Sequence, residues 1–184
     1  LDLMARVLIE SPVSILDLGC GAGNVTRLLG QRWPDATITG IDMSREMLER
    51  AKLEAPNIEL VEADLATWKP AQTADLVFSN AVLQWIPDHA KLVSRIARFV
   101  SKGGVLAVQI PRNENAPSES AVKEAIQAGP WKKKLRALER VTPTQEPSFY
   151  FRLLAPLSRE LDVWETEYHH VLEGDDPVLE WGKG

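Results

Sequence analysis

Cysteine is nearly absent from this chain of 184 residues: Cys20 stands alone, so no intrachain disulfide can form and a reducing, cytoplasmic compartment is expected. No apolar run approaches the ~20 residues that a membrane-spanning helix needs, and no signal-peptide pattern is visible. Basic charge is not in excess either: 21 lysines and arginines against 26 acids leave a formal charge of −5. A nucleic-acid partner needs a basic face to neutralise phosphates, so none is expected. Internal repeats and low-complexity tracts are missing. No metal site is expected: His169 and His170 are paired, but neighbours on a strand point to opposite faces and no acid or cysteine cluster completes a ligand set. What is left, 45% hydrophobic and 26% charged, is the composition of an ordinary globular domain able to bury a core. The chain opens at Leu1 rather than Met, so an upstream segment is expected.

The most informative stretch runs from Val13 to Asn24. An apolar run ending at Leu18 reads as a buried parallel strand. It leads into Gly19, Gly21 and Gly23 at alternate positions, and a helical pattern begins near Asn24. Strand, glycine turn and helix form a nucleotide-type site at the carboxyl edge of a sheet. Asp17 lies two residues before the first glycine, placed to accept a hydrogen bond from a cationic or hydroxyl-bearing ligand. The spacing is G-x-G-x-G, and Thr26 fills the position where a dinucleotide fingerprint expects glycine or alanine. A glycine triplet alone leaves nicotinamide, flavin, S-adenosylmethionine (SAM) and a ligand-free tight turn all open.

Further along, 37–42 reads as a second strand closing on Asp42, which stands 19 residues beyond Gly23. That is near the distance at which an acid meets a ribose, and one carboxylate can accept from two vicinal hydroxyls. Ser44 starts the next helix as its cap. Residues 58–61 alternate as a third strand, followed by Asp64-Leu65, whose acid is either a ligand contact or a solvent-facing loop residue. The fourth strand, 74–80, ends on Asn80 with Ala81 next, and Trp85 either walls the site or is packed in the core. His89 reads as a surface or first-turn residue of the following helix rather than a base. The fifth strand is expected at 105–110, with Arg112 and Asn113 at its carboxyl edge. Strands alternating with helices imply a parallel sheet with right-handed crossovers. After it come helical segments at 118–128 and from 129 onward, a charge run at Lys132 to Lys134, and an aromatic cluster at 149–154. Residues 161–171 alternate as a sixth strand.

These elements carry a resemblance. The glycine loop with Asp17, then Asp42, Asp64 and the 80–85 stretch, looks like the motif series of class I SAM-dependent methyltransferases across 13–110. More narrowly, DLATWKPAQ at 64–72, NAVLQWIPDH at 80–89, GGVLAVQ at 103–109, GPWK at 129–132 and DVWET at 162–166 resemble the trans-aconitate 2-methyltransferase family. The resemblance implies an α/β, Rossmann-like, doubly wound and mostly parallel sheet. It has a helical insert after the fifth strand and lacks the terminal strand. The division is then a SAM-binding core at 1–112, an insert and acceptor lid at 113–160, and a late strand and helix start at 161–184. It implies methyl transfer from SAM to a carboxylate of a small tricarboxylic acid, trans-aconitate, leaving S-adenosylhomocysteine (SAH).

Under that reading the cofactor contacts are Asp17, Gly19, Cys20, Gly21, Asn24, Asp42, Met43, Asp64, Leu65, Asn80, Ala81 and Trp85. A carboxylate is already ionised at pH 7, so no general base is expected and catalysis is alignment. An anionic acceptor on a net-negative chain requires a local cationic pocket. Arg112 and Arg152 are the expected clamps, because the guanidinium fork fits a carboxylate. Asn113, Trp131, Tyr150 and His169 are expected helpers. A SAM methyltransferase with another small acceptor, a nicotinamide oxidoreductase and a non-catalytic SAM-binding module remain alternatives.

Overall fold

The computed structural model describes residues 2–113, 116–135 and 144–182. Five strands form one wholly parallel sheet: β1 (Ser14–Leu18), β2 (Thr37–Asp42), β3 (Glu59–Glu62), β4 (Ala74–Asn80) and β5 (Val100–Gln109). Their spatial order is β3-β2-β1-β4-β5. The direction of winding therefore reverses between β1 and β4, and a crevice opens beyond the strand ends at that point. Both faces of the sheet are covered, as the near-continuous apolar strands require. Side chains alternate along each strand. Leu16, Leu18 and Val77 thus face one core, shared with Leu92, Val93 and Ile96 of α4 (His89–Ala97). Ile15, Leu76 and Phe78 face the other, shared with α1 (Asp2–Ala5) and with Leu29 of α2 (Asn24–Arg32).

At the amino-terminal edge, Asp75 gathers the starts of three strands. It accepts from the Val13 amide at 2.9 Å and the Ser101 hydroxyl at 2.8 Å, and also from Ser14. These donors hold its carboxyl below the usual range. Strand β5 begins five residues earlier than its apolar run indicates. Val100 pairs with Ala74 and the register then shifts before Leu76. Gly103 at φ +83° lets the strand absorb the irregularity.

The helix α3 (Arg45–Glu54) is capped by Ser44, whose Oγ accepts from the Met47 amide. After β5 come α5 (Pro117–Ala128), α6 (Lys132–Leu135) and α7 (Pro147–Leu154), and α8 (Pro177–Gly182) closes the described chain. Glu114, Asn115 and residues 136–143 lie outside the described residues. The aromatic cluster 149–154 is helical: Tyr150, Leu153 and Leu154 of α7 pack against the α4-side core.

One expected element does not form. Residues 161–171 alternate in sequence but adopt no strand. A period-2 pattern makes a strand only where a neighbour completes the ladder of backbone hydrogen bonds, and none of the described strands pairs with this segment. Trp164 anchors it instead, against the α2-side core and beneath the Arg6 guanidinium at 4.2 Å. Among the described residues no helix is long and apolar enough to cross a membrane.

Candidate functional site

Four consecutive strand ends, those of β3, β2, β1 and β4, bring the motif residues to one edge of the sheet. The glycine loop after β1 has all three glycines at positive φ, +75°, +53° and +84° for Gly19, Gly21 and Gly23. A Cβ at Gly19 would lie 2.3 Å from Val82, so the loop after β4 packs directly onto the glycine loop. At Gly21 a Cβ would meet nothing within 4 Å, and the backbone there faces open space. The amides of Gly19 and Cys20 both donate to the Ile41 carbonyl, at 2.7 and 3.0 Å, tying the loop to the end of β2.

Asp42 follows that carbonyl. Its Oδ2 accepts from the Gly21 amide at 2.9 Å and its Oδ1 from the Ser44 amide at 2.8 Å. Each carboxylate oxygen has two lone-pair sites, so one on each remains for a pair of hydroxyls, with the carboxylate rigidly oriented. The Asp42 carbonyl accepts from Ala63, which draws the end of β3 and Asp64 to the same edge. Asp64 is exposed; its Oδ1 accepts from the Ala66 amide at 2.8 Å. Met43 is also exposed, at 72%. The Leu65 side chain is in the core, so only its backbone faces outward. Asn24 is exposed at the first turn of α2.

Beside the winding reversal, the buried Ser79 hydroxyl donates to the Leu18 carbonyl at 3.0 Å, joining β4 to β1. Asn80 is half-buried at the strand end. Ala81 takes a left-handed φ of +56°, an unusual conformation for a residue with a side chain. Two bonds hold it: its amide donates to the Gln109 carbonyl at 2.9 Å, and its carbonyl accepts from Gln84 Nε2 at 2.7 Å. Trp85 is 58% exposed, which removes the core alternative and leaves its ring on the rim.

Asp17 does not open onto the crevice: it is 2% exposed, on the α2 face of β1, and its Oδ2 accepts from the equally buried Thr26 hydroxyl at 2.7 Å. Strand alternation turns it under the loop, a placement invisible in the motif. Burial pushes its carboxyl up to about 6, against the Thr26 bond and with help from the Asp42 charge. Thr26 is the residue missed, and its signal was the hydroxyl at the fingerprint's glycine-or-alanine position. Burial likewise pushes the Cys20 thiol up to about 12, with Asp17 and Asp42 adding to it.

His89 is in the first turn of α4 but is buried, at 3% exposure. Its Nε2 faces the Leu83 carbonyl at 2.9 Å and must carry the proton; Nδ1 then accepts from the Tyr150 hydroxyl at 2.5 Å. That hydroxyl accepts in turn from the Gln145 amide at 3.0 Å. Tyr150 therefore docks α7 onto α4 through His89 rather than pointing at an acceptor.

On the acceptor side the expected residues do not converge on one point. Arg112 lies just past β5, its side chain 27% exposed, donating to Glu165 at 2.7 Å and Glu146 at 2.8 Å. These bonds raise its pKa above the ordinary arginine value, Glu165 foremost. Arg152 is exposed on α7, and Trp131 is half-exposed. Asn113 is exposed, its carbonyl accepting from Ala116. His169 is 85% exposed, 3.9 Å from Glu167. Among the described residues no three of His, Cys, Asp and Glu gather as a metal site.

The family described as "Methyltransferase domain" matches residues 15–104, the five strands up to the turn in β5. Similarity to curated proteins reaches past that core. A trans-aconitate 2-methyltransferase of Agrobacterium fabrum (strain C58) is 46% identical over 185 residues, covering 100% of this chain and 72% of that protein. One of Azoarcus sp. (strain BH72) is 43% identical over 183 residues, with the same coverage. The chain belongs to the trans-aconitate 2-methyltransferase family. It is a SAM-dependent methyltransferase, and SAM is its cofactor. Among solved structures, a SAM-dependent methyltransferase from Mesorhizobium loti is 31% identical, with a TM-score of 0.53. It covers 58% of this chain and 50% of its own. The plantazolicin methyltransferase BpumL in complex with SAH, at 19% identity and a TM-score of 0.59, shares the fold over 80% of this chain and 56% of that one.

For SAM, the residues fit. The Gly21 backbone opens onto space, Asp42 keeps two acceptor sites in a fixed orientation, and Asp64 is an exposed acceptor on the next strand.

Proposed function

We propose that the protein methylates a carboxylate of trans-aconitate, giving a monomethyl ester and SAH. The observation that carries this reading is relatedness of 43–46% identity extending through the insert as well as the sheet. The insert is where a scaffold shared by many acceptors acquires its own.

SAM supplies an electrophilic methyl on a sulfonium. The chain's part is binding, orientation and exclusion of water. Asp42 accepts from the ribose hydroxyls and Asp64 from the adenine amine. Met43 and the Leu65 backbone flank the base. Gly19, Cys20, Gly21 and Asn24 shape the loop beneath, and Asp17 braces it through Thr26. Asn80 and Ala81 hold the amino-acid end, and Trp85 walls the transfer point. No side chain has to remove a proton, because the acceptor carboxylate is already ionised. In-line placement of two bound groups then supplies the rate enhancement.

The acceptor is small and anionic, and Arg112 is its clamp; Arg152, Asn113, Trp131 and His169 are exposed, do not converge on it and are not assigned to the acceptor. Residues 1–112 form the cofactor unit, 113–160 the lid and 161–184 its closing segment. The chain spans 72% of its curated relatives, and the whole protein is read as cytoplasmic. The test is a screen of small mono-, di- and tricarboxylates with methyl-labelled SAM. Base-labile label on trans-aconitate, at higher kcat/KM than on the other acids, is the expected result. SAH binding without ester formation from any acid refutes the reading.

A further inference from the structure

Arg112 stands three residues beyond Gln109, which pairs with Asn80 where β4 and β5 end together. It is therefore at the carboxyl edge, beside the loop that carries Trp85. Its two glutamate partners come from either side of α7. Glu146 is the residue before that helix, and Glu165 lies in the segment after it. Tyr150, one turn past Glu146, fixes α7 to His89, so Glu146 is held at the rim of the same edge.

The charges in this cluster oppose the reaction. One guanidinium between two carboxylates has a local charge of −1, on a chain already at −5. A polyanionic acceptor is repelled from such a cluster as it stands. The exposures differ, however: the Glu146 and Glu165 side chains are 67% and 54% exposed, against 27% for Arg112. Released glutamates regain water readily, and exposed ion pairs contribute little. The less exposed arginine keeps its fork free to take another carboxylate in their place.

We propose that Glu146 and Glu165 are specificity-determining residues, standing in on Arg112 for two carboxylates of the acceptor and displaced when a di- or tricarboxylate enters. The inference rests on the polycarboxylate reading above. A monocarboxylate can replace one glutamate only, and then lies beside the other, where like charges repel. Two acceptor carboxylates replace both, and the arginine loses nothing. The cluster thus counts carboxylates, which an isolated arginine does not.

The test compares wild type with Glu146→Gln, Glu165→Gln and the double variant. Trans-aconitate and crotonate are the acceptors, SAH affinity is measured by calorimetry, and thermal unfolding checks the fold. Glutamine keeps the shape and removes the competing charge. The acceptor KM should fall roughly threefold or more in the double variant, further for crotonate than for trans-aconitate, with SAH affinity unchanged. Adding Arg112→Gln to the double variant should abolish the gain. A KM that rises or stays constant, or an unchanged preference between the two acids, overturns the proposal and makes the cluster a clasp on α7. If wild type binds SAH yet esterifies no acid, the polycarboxylate reading fails first and takes this one with it.

Discussion

Alanine at Gly19 and alanine at Gly21 are the same change in two backbones of the same hand, and they should fail in different ways. Both residues are left-handed, at φ +75° and +53°, and a side chain there costs ~1–2 kcal/mol. Only Gly19 is crowded. Its Cβ would lie 2.3, 2.5 and 2.8 Å from Val82 Cγ2, Cγ1 and Cβ. Rotating the valine cannot relieve the last of these. The backbone around Val82 cannot simply retreat, because the Ala81 amide is bonded to Gln109 and the Trp85 amide to the Val82 carbonyl. Overpacking of this kind adds ~1–3 kcal/mol. Gly19→Ala should therefore lose ~2–5 kcal/mol, a large part of a domain's stability, and Gly21→Ala only the ~1–2 kcal/mol of its backbone. At Gly21 the methyl instead enters the open space where the cofactor is proposed to approach, so SAH affinity should drop with little unfolding. Urea denaturation gives the first quantity and calorimetry with SAH the second. Equal stability losses, or wild-type SAH binding by Gly21→Ala, would refute the packing of the two loops as the basis of the site.

Asp17 should make stability pH-dependent in an unusual direction. Its carboxyl is raised from 3.8 to about 6, chiefly by burial, so the folded chain keeps a proton that the unfolded chain has released. Stability then falls as pH rises from about 4 to about 6 and stays lowered above that. Asp17→Asn still accepts from Thr26; it should match wild type near pH 3 and exceed it by up to ~3 kcal/mol at pH 8. A gap that does not vary with pH contradicts this. For Tyr150→Phe, the buried His89 Nδ1 loses its donor, and a loss of ~1–3 kcal/mol in thermal unfolding is expected. An unchanged melting temperature would show that α7 is docked by apolar packing alone.

Much of this protein was legible along the chain because its signals are local. Apolar strands, glycines at alternate positions and the acids at the end of β2 and just past β3 are read within a few residues. A parallel sheet then leaves the ends of β1, β2, β3 and β4 at one edge whatever packs elsewhere. The acids Asp42 and Asp64 follow from that alone. Other features came only with the third dimension, since their partners lie far off in sequence. Asp17 looked like a ligand contact until strand alternation turned it onto Thr26. His89 reads as a surface or first-turn residue and is indeed in the first turn, but Tyr150, from a helix 61 residues away, covers it. Arg112 looked like a free clamp until Glu146 and Glu165 closed on it from 34 and 53 residues away. Residues 161–171 have the period of a strand, but none of the described strands pairs with them. Local sequence determines which conformations a segment favours. Burial and pairing of charged groups depend on which surfaces meet, and only the folded chain decides that.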